Sequence, residues 1–383
     1  MKFFVLITLM VGAIAPAVFS QSDYLMFASY FDENKARAFD MDTSGNISLR
    51  EEYTVGKDAQ CVSASPNGRL VIVSSWWEPI LSCFFISENY KINPPAYNNQ
   101  YYSGYVIPVA FNPWRKRIYV GWIEFCYMFK LDYLNKNIEY MDIFYDFDTS
   151  QTDDIVFSKY SNCIAYERKI YSGTNFSEGV GTVKINTEGH FTTETSKLDL
   201  GRVGGNADFT VSPDGRWSVL LGNADPEMSV VGINKNGSLY LVEQWDFPGD
   251  EVANMEMVRY TPDGKHLIMM NQGPHILLSF TVDQETGKLT ENNWIWAPWT
   301  APQAMAITPD SKFLVVMEIE PVGTQNTLRV LTIDEKGYLK NLEDKYLVIE
   351  GFPSDMEFVP PWQETPFPQN GFMLYGQEEI SEQ

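Results

Sequence analysis

Histidine is scarce in this chain: His190, His266 and His275 are the only three in 383 residues. That shortage excludes a histidine-rich metal centre. No His-Glu-x-x-His pair, Gly-x-Ser-x-Gly elbow or phosphate-cradling glycine loop is present either. Cysteine is limited to Cys61, Cys83, Cys126 and Cys163, whose spacing matches neither a zinc site nor a Cys-x-x-Cys-His haem attachment. All four fall in strand-like segments, where a buried free thiol behaves as a small apolar residue. In an exported chain a disulfide stays open. Positive charge is also in deficit, 28 Lys plus Arg against 50 Asp plus Glu, for a net charge of −22. Such a surface repels nucleic acid and anionic lipid and favours cations or basic protein partners.

Spanning-length apolar runs are absent after the first twenty residues. Lys2 gives a charged start, Phe3 to Ala17 an apolar stretch, and Val18-Phe19-Ser20 a short junction. Residues 1–20 thus read as a signal peptide cleaved before Gln21, giving an exported, extracytoplasmic, periplasm-like product with no membrane anchor.

What the chain has in abundance is one turn. It reads Ala-Ser-Pro-Asn-Gly-Arg at 64–69, Val-Ser-Pro-Asp-Gly-Arg at 211–216, Tyr-Thr-Pro-Asp-Gly-Lys at 260–265 and Ile-Thr-Pro-Asp-Ser-Lys at 307–312. Weaker copies follow Phe111, Phe157 and Phe358. The anchors Pro66, Pro113, Tyr160, Pro213, Pro262, Pro309 and Pro360 are 47 to 53 residues apart. That period, with four short strand signals per repeat, predicts an all-β fold: a seven-bladed β-propeller with four antiparallel strands per blade. The N-terminus supplies three strands (24–30, 35–40, 46–53) and the C-terminus one (355–359). Together they make a shared blade that closes the ring and leaves no open edge. The propeller then spans 21–362, and 363–383 is an acidic C-terminal tail.

In such a ring the inner strands line a central channel. Residues five or six before each anchor put Asp154, Asp208, Glu256 and Asp355 near one level of its mouth, where oxygen ligands could hold Ca²⁺ or Mg²⁺ or simply be hydrated. The loop 245–254 is the most unusual connection, with Asp246, Asp250 and Glu251 beside Trp245 and Phe247. Aromatic anchors among charges suit a partner contact, and an acidic solvated loop is the plain alternative. A general acid/base site could be drawn from His275, Glu251 and Arg202. The sequons at Asn46, Asn175 and Asn236 matter in a glycosylating host.

These turns, with the outer hairpins Phe280-Thr281-Val282…Gly287-Lys288-Leu289 and Leu331-Thr332-Ile333…Gly337-Tyr338-Leu339, resemble the lactonase-like (YVTN-type) seven-bladed propellers. Phosphogluconolactonases and muconate-lactonising enzymes belong to that family. The resemblance implies hydrolysis of a small sugar acid or lactone by His, Glu and Arg on the channel face, yet the first four internal blades offer no histidine there. A second resemblance, of the whole exported, acidic, haem-free chain, is to the β subunits of hydrazine synthase from anammox bacteria. It implies a non-catalytic propeller scaffolding a hetero-oligomer in the anammoxosome. Multihaem partner subunits would hold the haem and form hydrazine from nitric oxide and ammonium, with Glu251 facing a haem subunit. The thin catalytic inventory together with these resemblances makes the non-catalytic subunit the first expectation, the secreted lactonase-like hydrolase the second and a lone carbohydrate- or peptide-binding propeller the third.

Overall fold

The computed structural model describes residues 23–31, 33–76, 78, 80–98, 109–112, 116–121, 125–145, 155–172, 175–201, 206–222, 228–247, 255–273, 275–296, 302–319 and 326–363. Residues 1–20, expected to be a signal peptide, and the expected tail from 364 lie outside them.

The chain forms seven antiparallel sheets arranged as blades. Blade 1 is the shared one, ordered outward as Pro353–Phe358, Tyr24–Tyr30, Lys35–Met41 and Ile47–Thr54. Its closure is a backbone ladder in which Met26 pairs with Phe358 and Ala28 with Met356. Blades 2 to 7 follow in chain order, each starting from an inner strand. Their inner strands are Ala59–Ala64, Val109–Asn112, Ile155–Ser158, Asn206–Val211, Met255–Tyr260 and Pro302–Ile307. Each inner strand touches the next, and Pro353–Phe358 touches both Pro302–Ile307 and Ala59–Ala64, so the ring is closed. Blade 2 departs from four simple strands. Its outer edge is split into Lys91–Ile92 and Ala96–Asn98, both pairing with Leu81–Ser87.

The repeated turn forms because its residues saturate their own backbone. Thr261 Oγ1 donates to Asp263 Oδ1 (2.7 Å) and accepts from His266 N–H (3.0 Å), while Asp263 Oδ1 accepts from Lys265 N–H (3.1 Å). Ser212 with Asp214, Thr308 with Asp310 and Ser65 with Asn67 repeat the arrangement. The Ser/Thr-Pro-Asp-Gly signature is therefore a hydrogen-bond unit that reverses the chain between the first and second strand of a blade.

Apolar side chains fill the spaces between neighbouring blades. Phe27 of blade 1 lies 5.2 Å from Phe84 of blade 2, and Tyr119 of blade 3 stacks on Phe157 of blade 4 at 6.4 Å. In five of the seven blades a glycine in the outer turn, Gly45, Gly189, Gly237, Gly287 or Gly337, lies against the neighbouring blade. Gly287 of blade 6 sits on the Trp217 indole of blade 5, where a Cβ would come within 2.5 Å of the ring. Gly337 of blade 7 covers His266 of blade 6 in the same way. All four cysteines are free, and Cys83, Cys126 and Cys163 are buried. Burial pushes the Cys83 thiol up to about 12 and that of Cys163 up to about 11.

Candidate functional site in the central channel

The inner strands start at one end of the ring, the entry end, and finish at the repeated turns. Side chains early in these strands join one blade to the next. Asp208 Oδ2 accepts the Val258 N–H at 2.6 Å, and Asp355 Oδ2 accepts the Val62 N–H at 2.9 Å. Met257 holds the same place, its sulfur accepting the Met305 N–H at 3.4 Å. In each case the acceptor is five residues before its anchor, and the donor four residues before the next blade's anchor. Glu357 adds a further link, its Oε2 accepting the Ala64 N–H at 2.8 Å.

Arg259 joins these carboxylates into a cluster. Its Nη1 donates to Asp208 Oδ2 and to the Val258 carbonyl (2.8 Å), and its Nη2 lies 3.9 Å from Asp355 Oδ1. The Arg259 side chain stays 30 % exposed. The Asp355 side chain keeps 14 % of its surface exposed.

The enclosed setting makes ionisation costly. Burial, reinforced by the nearby Asp208 charge, pushes the Glu256 carboxyl up to about 7. Burial likewise lifts Asp355 to about 6, restrained by Arg259 and the Val62 N–H. Glu357 reaches about 8, burial again leading, with the Ala64 N–H pulling the other way and the Asp355 charge adding to the rise. Near neutral pH the channel therefore holds a carboxyl that both accepts and releases protons, within electrostatic reach of Asp208, whose carboxylate is paired with Arg259. That is the minimum equipment for general base catalysis with an electrostatic partner.

Of the carboxylates expected at the channel mouth, Asp208, Glu256 and Asp355 come together, and Asp154 lies outside the described residues. Among the described residues no three His, Cys, Asp or Glu side chains stand at metal-binding spacing. Asp208 and Asp355 also spend acceptor capacity on backbone N–H groups. Arg259 and Glu357 were not among the expected site residues. Both lie three positions before their anchors, Pro262 and Pro360, and that shared offset is the signal that would have found them.

The remaining candidates lie apart. His275 sits in a turn at the entry end of blade 6, with φ 56° and its N–H donating to the Gln272 carbonyl (3.3 Å). Among the described residues no side-chain bond joins it to the channel carboxyls. Arg202, Asp250 and Glu251 fall outside the described residues. Trp245 and Phe247 stack on each other at 6.3 Å and both turn inward onto Phe280, which leaves Asp246 exposed beside them.

A family model for lactonase, 7-bladed beta-propeller, matches residues 177–352. No curated protein matches the chain in sequence. Among solved structures, a candidate 6-phosphogluconolactonase from Bacteroides uniformis superposes with a TM-score of 0.69 at 16 % identity, covering 88 % of this chain and 99 % of its own. The periplasmic gluconolactonase of Pseudomonas aeruginosa gives 0.68 at 14 %, with 88 % and 99 % covered. Hydrazine synthase from Kuenenia stuttgartiensis gives 0.55 at 12 %, with 79 % and 95 % covered. At these identities the solved structures speak for the fold. In the sequence of residues 177–352 and in the architecture of its whole ring, the chain is similar to the lactonase-type seven-bladed propellers.

Proposed function

We propose that this chain is an exported lactonase-like hydrolase that opens a small uncharged sugar lactone in its channel. The observation that carries the reading is the juxtaposition of Glu256 with the Asp208–Arg259–Asp355 cluster at the entry end. In the proposed reaction, the Glu256 carboxylate takes a proton from water as the oxygen attacks the lactone carbonyl. The Arg259 edge stabilises the oxyanion that forms. The ring C–O bond then breaks, and the departing alkoxide takes the proton back from Glu256, leaving a free hydroxy acid. Glutamate replaces histidine as the base because burial raises its carboxyl to the pH at which histidine usually works.

Charge narrows the substrate. Asp208 and Asp355 flank the one arginine of the cluster, and Glu256 is close enough to feel the Asp208 charge, so a phosphorylated lactone meets repulsion that a neutral one does not. The test is hydrolysis of gluconolactone and its 6-phosphate, followed by proton release. The expected result is turnover of the neutral lactone with a higher kcat/KM than the phosphate, and a loss of about 10²–10⁴-fold in kcat in Glu256→Gln. Equal rates for wild type and Glu256→Gln would remove Glu256 from the mechanism.

A second reading is a non-catalytic propeller subunit of an exported haem complex, akin to the hydrazine synthase β subunit. The exposed Asp246 at the start of the acidic connection 245–254 favours it, as does the fold shared with the Kuenenia enzyme. Here haem belongs to multihaem partners and this chain supplies a docking surface. Purification from the source organism tests it: co-eluting haem absorbance with stoichiometric partners supports a subunit, and a colourless monomer contradicts it.

A further inference from the structure

We propose that Asn236 is an N-glycosylation acceptor, and that its glycan projects from the face of the ring opposite the channel entry. The residues are Asn236-Gly237-Ser238, in the turn between the third and outer strands of blade 5 (Met228–Ile233 and Leu239–Trp245). Asn236 is exposed. Its Oδ1 accepts from both the Ser238 N–H (3.0 Å) and the Ser238 hydroxyl (2.8 Å). Both bonds use the carbonyl oxygen, so neither engages the amide Nδ2, the position a glycan would take. Gly237 adopts φ 85°, which bends the backbone so that the Asn and Ser side chains meet. The turn is held by Gly237 N–H donating to Asn234 O (2.8 Å) and Asn234 N–H donating to Ser238 O (2.9 Å), so a substituent on Nδ2 displaces no backbone bond.

Strand direction fixes the face. The third strand of a blade runs parallel to the inner strand, so residues 234–238 emerge beside the repeated turns and away from the Glu256 end. A glycan there leaves the channel mouth open. The sequon at Asn46 occupies the equivalent turn of blade 1 but differs in geometry. Its Nδ2 donates to Asp42 Oδ2 (2.6 Å) and its Oδ1 accepts from Lys345 (2.6 Å). A glycan at Asn46 would displace that Asp42 bond, whereas among the described residues Asn236 Nδ2 makes no such bond. The side chain of Asn175 lies outside the described residues.

The step is a glycosyl transfer from a lipid-linked oligosaccharide pyrophosphate. Nδ2 attacks the anomeric carbon, a C–N bond forms as the C–O bond to pyrophosphate breaks, and the lipid pyrophosphate departs. The nitrogen gives up one proton. The inference rests on export, which is part of the proposed function, and is independent of the channel chemistry.

The test is secretion of the full chain from yeast, once behind its own residues 1–20 and once behind an established leader, with intact mass read before and after endoglycosidase. Wild type is expected to lose glycan mass on digestion. Asn236→Gln and Ser238→Ala are each expected to carry one glycan fewer than wild type, and agreement between these two unrelated substitutions separates a lost acceptor from misfolding. A secreted protein whose Asn236 peptide is unmodified overturns the inference. If only the borrowed leader gives secretion, the export reading fails while Asn236 is still tested.

Discussion

Asp355, on the last strand of the ring, accepts a 2.9 Å hydrogen bond from the backbone N–H of Val62, 293 residues away in sequence. This bond joins the closing blade to its neighbour from inside the channel, and the same carboxylate faces Arg259. One side chain therefore serves the ring and the candidate site together. Asp355→Ala leaves the Val62 N–H without its partner and is expected to cost about 1–3 kcal/mol in urea unfolding. Asp355→Asn keeps an acceptor oxygen and is expected to cost less. Equal losses in the two variants would mean that the charge, not the acceptor, holds the blades.

Stability should pass through a maximum with pH, because two sets of carboxyls, three in each, shift in opposite directions in the fold. The turn aspartates Asp214, Asp263 and Asp310 lose some solvation on burial, but hydroxyl, N–H and basic donors hold them below the usual carboxylate range. Their contribution is present above the unfolded value, about 4, and is lost as pH falls through the lower folded one. Glu256, Asp355 and Glu357 are raised instead, to about 7, 6 and 8. Their contribution is full below the unfolded value and disappears as pH rises through those numbers. The melting temperature is expected to peak between about pH 4 and 6 and to decline toward pH 8. Glu357→Gln should flatten the alkaline decline, and an unchanged slope would show that Glu357 is not its source.

Glu318 and Arg329 form a buried ion pair on adjacent strands of blade 7, with 2.9 Å between Arg329 Nε and Glu318 Oε2. The Glu318 side chain is 3 % exposed and that of Arg329 9 %, so neither has water to fall back on. Glu318→Ala removes the carboxylate from the buried guanidinium and is expected to cost about 3–5 kcal/mol. The paired change Glu318→Leu with Arg329→Met should recover most of that loss in the same denaturant titration.

Two glycines with similar dihedrals should respond differently to alanine. Gly287 (φ 75°) lies against Trp217, whereas Gly201 (φ 67°) has nothing within 4 Å of an added Cβ. Gly201→Ala carries backbone strain alone, about 1 kcal/mol. Gly287→Ala adds a clash in the seam between blades 5 and 6 and should lose clearly more. Equal costs would show that the outer-turn glycine is not needed for blade packing.

The ring was legible because its signal repeats. Ser212, Thr261 and Thr308 bond the aspartates two residues on, and that unit recurs at a period only a propeller explains. The shared blade followed from three unpaired strands at one end of the chain and one at the other, and the ladder from Met26 to Phe358 agrees with it. The site was only half legible. Spacing from the anchors brought out Asp208, Glu256 and Asp355. Arg259 and Glu357 escaped because only the positions five and six before each anchor were read, although the strands run in regular register from offset five to offset three. Trp245 and Phe247 read as partner anchors in sequence because ring content cannot distinguish an exposed face from a seam. Phe280, 33 residues beyond Phe247, decides that they pack inward.

The most direct test of the catalytic account is the pH dependence of kcat/KM for gluconolactone in wild type and in Glu256→Gln. The account predicts a wild-type rate that rises through an inflection near pH 7, where the Glu256 carboxyl ionises, and a variant that is slow with no such inflection. A wild-type profile flat from pH 5 to 9, or a variant that keeps both rate and inflection, would contradict it.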